Sequence, residues 1–567
     1  MLGVLVIAAP VALYLAAALS VRRKDLLYPD DFFTAHRRAD VTMFSTSSIA
    51  YAFQMSTIYP FLIWGAANFF FVPIVNTVCW GIGIFFFYLA SSRYQGFIGN
   101  DQTLHGFLGN QYGQSVRRMA SYLTIIGLLG FAVAELYFGS RVLLSVAGGS
   151  KGVYAFIVVV SLIVYGYIAY GGQLSSMRTD QLQLAISYIG IFGISLYFLR
   201  AILTSAAGIP PSLKAACAVC ILYVPLILYT RRCTFFRVNF WGAFGARSGL
   251  VLNALTVLML AAMCVLALLL LSRRTSYSAP WNFFDLTGFG IPGLVSLIIL
   301  PLCFQFVDLT NWQRLLSVKP SLRPGHDLRS DIGRGLLTYS LESPFTWLLS
   351  LFFGLLVTKA VTGVDATDLL VNLPQHLLQS ANSSDHLVAY TFILSVVSIM
   401  LSTVDSFMVG VIYTFAYDSY PSSQRLLDAG DVGAITARAR YIINVGRVFG
   451  LLSLATIIVA LFVFDHSIPN GGELFVNLLL AFYSAQLSFF PLVFGVLFLR
   501  TRPSSRWAVL SMLLGAGSGI GLGIYAVIWN AKYAWFPLLV CFAVSCTVYG
   551  IGYLQAKRKP AVRSLAV

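Results

Sequence analysis

The chain has 567 residues, of which 58% are hydrophobic and only 10% charged, with a mean hydropathy of +0.81. That balance excludes a soluble globule of ordinary composition and points to an all-α polytopic membrane protein. A net charge of +16 would suggest nucleic acid for a soluble chain, but in a membrane chain the question is which loops hold the Lys and Arg.

Apolar runs of about 20 residues bounded by charges or turn residues predict spans in chain order. They fall at 2–21, 41–66, 68–91, 119–147, 152–171, 179–205, 213–230, 249–271, 287–308, 336–359, 386–416, 441–465, 472–499, 507–529 and 533–555. About 15 helices is an odd number, which puts the two termini on opposite sides. The first run has no basic residue before it and Arg22, Arg23 and Lys24 after it, the order of a retained helix with its N-terminus outside rather than a cleaved signal. With that threading roughly 28 of the 37 Lys and Arg fall in inner loops and the tail, and about 8 in outer loops. The asymmetry predicts a plasma (inner) membrane protein with a cytoplasmic C-terminus. It also explains the charge as topology and contact with anionic lipid, with no nucleic acid. The loops at 93–118, 314–335 and 360–385 suit short surface helices, not separate domains. Eight cysteines lie mostly within apolar runs, and Cys217 and Cys220 lack a second pair, so they read as buried thiols.

Polar residues at membrane depth are costly and mark candidate sites. The run 45–65 carries Ser and Thr at 45–48, 56 and 57, with Gln54 and Pro60, and reads as a helix interrupted between Ala52 and Pro60. Glu135, mid-span, is either a functional carboxylate or a buried partner of Arg141 or a polar neighbour. Asp180 either lies on an ion route or opens the helix 179–205, paired with Arg178. A second broken run, near Pro301, places Gln305 and Asp308 on one face. Paired broken helices, one near the start of each half, are the sequence mark of a midplane site in a secondary transporter. Ser402 and Thr403 are adjacent hydroxyls two residues before Asp405. They either bond back to their own helix or offer the neutral oxygens a hard cation needs.

Four stretches, AYAFQMSTIYPFLIWGAANF at 50–69, YGGQLSSMRTDQLQ at 170–183, DLTNWQRLLSVK at 308–319 and IMLSTVDSFMVGVIYTFAYDSY at 399–420, carry a resemblance to the sodium/solute symporter family. The resemblance implies a leucine-transporter-type core of two inverted five-helix repeats, at 41–205 and 287–500. An extra N-terminal helix and inner loop at 1–40 precede it, and extra helices with a basic tail at 501–567 follow. An inserted hairpin at 206–286, containing the runs 213–230 and 249–271, separates the repeats. It further implies Na⁺ as coupling ion, held by backbone carbonyls of Ala52, Met55 and Ile399 and the hydroxyls of Ser402 and Thr403, with Asp180 on the inward ion route. Gln54, Ser56, Tyr59, Gln305 and Asp308 would face the solute. Gln54 stands where some relatives carry an acid.

The function this suggests is Na⁺-coupled import of a small organic solute by alternating access. Two alternatives are a proton-coupled transporter, with Glu135, Asp308 or Asp405 titrating, and a transporter-shaped sensor without net flux. No nucleophile–base pair, HExxH or phosphate loop suggests an enzyme. Glu135 and Asp308 lean toward a cationic or zwitterionic solute, because an anion would meet unpaired carboxylates. The sequence leaves solute identity and the choice of monomer or homo-oligomer open.

Overall fold

In hydrocarbon every backbone N–H and C=O must be satisfied within the protein, and a continuous helix does this by itself. The computed structural model describes residues 2–21, 28–67, 69–90, 93, 103–144, 150–204, 286, 289–319, 328–361, 369–419, 435–467, 472–499, 501–530 and 533–558. The described residues hold helices and no named strand, with one isolated parallel bridge, Ala39 to Val318. Ten of their stretches are long and apolar enough to cross a membrane, and the protein is an integral multi-pass membrane protein. The expected runs at 213–230 and 249–271 lie outside the described residues.

The chain runs α1 (Leu2–Leu19), α2 (Pro29–Thr34), α3 (Val41–Ala52), α4 (Met55–Ala66), α5 (Phe71–Ala90), α6 (Leu104–Tyr112), α7 (Gln114–Leu144) and α8 (Ser150–Thr204). After the undescribed stretch come α9 (Gly290–Val307), α10 (Leu309–Ser317), α11 (Leu328–Ala360), α12 (Leu369–Gln379) and α13 (Ser383–Thr414), which ends in a π-turn at Phe415–Ser419. The chain closes with α14 (Ile435–Ser467), α15 (Gly472–Leu487), α16 (Phe490–Phe498), α17 (Ser505–Ile528) and α18 (Phe536–Arg558). Contacts between the halves are reciprocal. The interrupted pair α3 and α4 packs on α11, while α9 packs on α5; α7 packs on α15, and α8 on α13. Helix α1 is tied to α8, where Ser175 donates to the Ala18 carbonyl (2.9 Å) and Arg178 to Ser20 (2.7 Å).

Both interruptions exist, but neither proline makes one. Pro60 lies inside α4 and Pro301 inside α9, whereas the helices part at Phe53–Gln54 and at Asp308. Each gap is closed by the same two devices. At the first, the Trp347 indole donates to the freed Ala52 carbonyl (2.9 Å), and the Glu135 carboxylate accepts from the Met55 and Ser56 amides (2.7 and 2.9 Å). At the second, the Trp312 indole donates to the Phe306 carbonyl (2.9 Å), and Asp308 accepts from the Thr310 amide (3.0 Å) and hydroxyl (2.6 Å). Glu135 is therefore bound to the backbone of α4, and both its oxygens are occupied.

Three other expectations change. The helix expected at 179–205 begins after a kink at Gly172 (φ 55°, ψ −144°), so Asp180 sits two turns inside it rather than at its start. A Cβ at Gly172 would lie 1.9 Å from the Phe32 carbonyl oxygen, which leaves glycine as the residue that fits. In the loop expected at 93–118, α6 is buried at Leu104, His105 and Leu108 instead of riding the surface. Arg314, expected in an inner loop, is 1% exposed on α10.

Glu135→Gln presents a donor to one of two buried amide donors, and an unsatisfied buried group costs about 1–3 kcal/mol. The purified variant is expected to melt several degrees below the parent; an unchanged melting temperature would show that the α4 amides have another partner. Gly172→Ala is expected to cut the yield of folded protein sharply, read by size exclusion in detergent, whereas Gly166→Ala, where a Cβ meets nothing within 4 Å, leaves it intact.

Candidate functional site

Two small cavities lie against different faces of α4. The larger, about 60 Å³, is lined by Ser56, Thr57 and Trp64 of α4, Trp80 of α5, Trp347 of α11 and Tyr483 of α15, among others. No charged side chain lines it. The indole N–H groups of Trp80 and Trp347 donate to Ser343 (2.8 Å) and Ala52 (2.9 Å), and the two rings pack against each other with centroids 4.5 Å apart. The smaller cavity, about 20 Å³, is lined by Met55 and Ile58 of α4, Ile191 of α8, Ser350 of α11, and Ser395 and Ile399 of α13, among others. That volume suffices for one water-sized occupant.

Of the residues expected at the solute, Ser56 lines the larger cavity. Gln54 donates to the Tyr483 hydroxyl at 3.5 Å, so Tyr483 links the cavity to the interruption. Gln305 and Asp308 are fully buried at the second interruption, and the Asp308 carboxylate lies in electrostatic range of the Tyr51, Tyr339 and Tyr483 hydroxyls. Among the described residues Gln305 Nε2 has no hydrogen-bond partner, while the Asp308 carboxylate has the Tyr51 hydroxyl beside it. Asn311 donates to Gln305 Oε1 (2.9 Å), which fixes the amide with its donor side unanswered. Tyr59 packs on Phe138 instead (ring centroids 4.6 Å) and does not line the larger cavity.

Of the residues expected to hold Na⁺, Met55 and Ile399 meet at the smaller cavity. Ser402 and Thr403 are 2% and 0% exposed, facing protein rather than lipid. The Ser402 hydroxyl donates to Asp180 Oδ1 (2.6 Å), and Thr403 donates to the Ile399 carbonyl (3.1 Å). Ala52 offers its carbonyl to Trp347. Asp180 also accepts from Ser47 (2.5 Å) and lies 3.7 Å from Arg314 Nη2. Arg314 in turn donates to Ser47 (2.9 Å) and Ser406 (2.8 Å), with its guanidinium 4.7 Å from the Tyr51 ring centroid. A single cation thus touches α3, α8 and α13 from α10. Asp405, beside it, accepts from Tyr167 (2.6 Å), Ser176 (2.9 Å) and Thr179 (3.1 Å). Among the described residues no cluster of three or more His, Cys, Asp or Glu side chains is placed to hold a metal.

Sequence reading missed Arg314, Trp347 and Glu342. Arg314 was passed over because it stands where a span gives way to basic loop residues. The polar spacing of DLTNWQR, amphipathic on a helix, was the available signal. Glu342, 7% exposed on α11, accepts from Tyr188 (3.0 Å), and its signal was a carboxylate beside Pro344 inside an apolar run. Trp347 carried no signal, since a tryptophan in an apolar helix looks the same whether or not it caps a carbonyl.

No protein-family model matches the sequence, and no curated protein is significantly similar to it. Among solved structures it is similar to a Na⁺-coupled sialic acid symporter in a substrate-bound outward-open state. The two are 13% identical over 98% of each chain, with a TM-score of 0.62. A looser likeness, at a TM-score of 0.37 and 12% identity over 92% of this chain and 99% of the other, is to MhsT in complex with L-phenylalanine. The first match shows that the chain has the leucine-transporter-type fold.

Proposed function

We propose that the protein is a sodium-coupled importer of a small organic solute, working by alternating access between the two faces of the membrane. One observation carries this reading. The hydroxyl pair Ser402–Thr403 is buried on α13, which packs on both halves of the first interrupted helix, and Met55 and Ile399 share a cavity of about 20 Å³ between them. The Na⁺-coupled character of a structure with the same fold supports it.

The residues fit such an ion. Ser402 and Thr403 each spend their proton on a neighbour, Asp180 and the Ile399 carbonyl, which leaves oxygen lone pairs for a cation. The carbonyls of Ala52, Met55 and Ile399 would complete the set, with Asp180 one hydrogen bond behind on the route inward. An ion held this way ties α3 and α4 to α13, and by linkage it tightens solute binding as much as solute tightens its own.

The solute is cationic or zwitterionic in this reading. No charged residue lines the larger cavity, and the buried Asp308 carboxylate lies in electrostatic range of Tyr483, which does line it. The membrane is the plasma (inner) membrane, with the end that bears most basic residues in the cytoplasm.

Ser402→Ala or Thr403→Ala is expected to raise the Na⁺ concentration for half-maximal uptake about fivefold or more, since a lost hydroxyl ligand is worth about 1 kcal/mol. Protein abundance stays at the parent level. Uptake by both variants with the parent's Na⁺ dependence would remove the site. Asp308→Asn is expected to abolish solute-induced thermal stabilisation in Na⁺ while leaving Na⁺-induced stabilisation in place. Full solute binding by that variant would make Asp308 a helix cap and nothing more.

A further inference from the structure

One cavity lies away from both interruptions. It is a groove of about 430 Å³ at the foot of α5 and the head of α11, lined by Tyr88, Leu89, Arg329, Ser330, Gly333, Arg334 and Leu337. It sits at the end of the bundle that holds the basic loops.

One end of the groove is cationic. Arg329 is exposed and makes no ion pair with any described residue, while Arg334, 45% exposed, pairs with Asp331 at 3.0 Å. The Tyr88 ring forms the floor. It lies so close over Gly333 that a Cβ there would come within 2.8 Å of its Cε2, so the floor depends on glycine.

The other end is apolar and continues up α5. Val78, Ile82, Phe85, Phe86 and Leu89 are 44%, 39%, 40%, 49% and 55% exposed, and their spacing places them on one face of the helix. Leu89 belongs to both the stripe and the groove. From Val78 to Leu89 the stripe rises about 17 Å at 1.5 Å per residue. One leaflet of hydrocarbon is about 15 Å deep, half of the 30 Å core.

From this continuity we propose that the groove is a binding site for one anionic phospholipid of the leaflet at the basic end. Its phosphate and headgroup sit between Arg329, Arg334, Ser330 and the Tyr88 hydroxyl, and one acyl chain lies along the stripe. A guanidinium suits a phosphate by geometry as well as charge. The occupant is a lipid rather than free phosphate because the cationic pocket opens directly onto an apolar track one leaflet long. The site stands apart from any ion or solute coupling, so its test does not depend on transport.

The test uses the full chain in mild detergent, titrated with phosphatidylglycerol, phosphatidylcholine or inorganic phosphate. Melting temperature and lipid retained in native mass spectrometry are the readouts. Phosphatidylglycerol is expected to bind saturably and raise the melting temperature, with phosphatidylcholine markedly weaker. Arg329→Gln is expected to weaken phosphatidylglycerol about fivefold, the contribution of one basic residue at a lipid surface. Arg329→Lys retains most of the affinity, and Arg329→Gln/Arg334→Gln erases the preference between the two lipids. If the double variant fails to fold because the Asp331 pair is lost, the two Arg329 variants decide. Equal binding of both lipids, undiminished phosphatidylglycerol affinity in Arg329→Gln, or equal stabilisation by inorganic phosphate would each overturn the proposal.

Discussion

The structure depends on how two breaks in membrane-spanning helices are made tolerable. A gap frees carbonyls on one side and amides on the other, and in hydrocarbon each orphan costs several kcal/mol. Here each gap is answered twice: a tryptophan indole takes a freed carbonyl, and a carboxylate takes the opening amides. At the first gap the partners come from α7 and α11, so neither α3 nor α4 can move without renegotiating bonds to its neighbours. At the second gap they come from within the segment itself, since Trp312 and Asp308 both belong to or adjoin α10. The first interruption is thus held by the surrounding bundle and the second largely by itself.

That asymmetry gives Arg314 its importance. As a lone buried cation it joins α10 to Ser47 on α3, Ser406 on α13 and Asp180 on α8, whose carboxylate also receives Ser47 and Ser402. A guanidinium without these partners would be very costly at this depth, and Asp180 and Asp405 without nearby donors equally so. The group is satisfied only as a whole, so a shift of any one helix is felt by the other three. A small cation placed beside Ser402 would act on that shared network, which is how binding at one point can bias the arrangement of four helices.

Much of this was legible in the sequence. The multi-pass helical character, both interrupted helices and the membrane depth of Ser402 and Thr403 followed from hydropathy and from the cost of polar groups in a membrane. The first break falls at Phe53–Gln54, inside the expected window from Ala52 to Pro60, but the second falls at Asp308 and not at Pro301, because a break sits where neighbours can satisfy it rather than where the chain is weakest. Glu135 reads as an isolated acid in sequence and becomes a cap only because α7 passes the gap 80 residues away in the chain. Arg314 looks like a loop cation until the tertiary fold draws α10 inward.

The basic end of the bundle shows what alternating access would have to undo. There the start of one interrupted helix is stitched to the end of the other: Arg37 donates to the Leu316 carbonyl (3.1 Å), Ala39 to Ser317 (2.8 Å), and Lys319 returns to Ala39 (2.7 Å). Gln313 adds a bond to the Phe33 carbonyl. Three backbone bonds at a net of about 0.5–1.5 kcal/mol each, with water taking the freed groups, amount to roughly 1.5–4.5 kcal/mol. That range overlaps the roughly 1–3 kcal/mol that one ligand ordinarily couples to another. A latch of this size is short enough that differential binding of small ligands elsewhere in the bundle could offset it, whereas a longer ladder between the same segments would need more free energy than such coupling supplies.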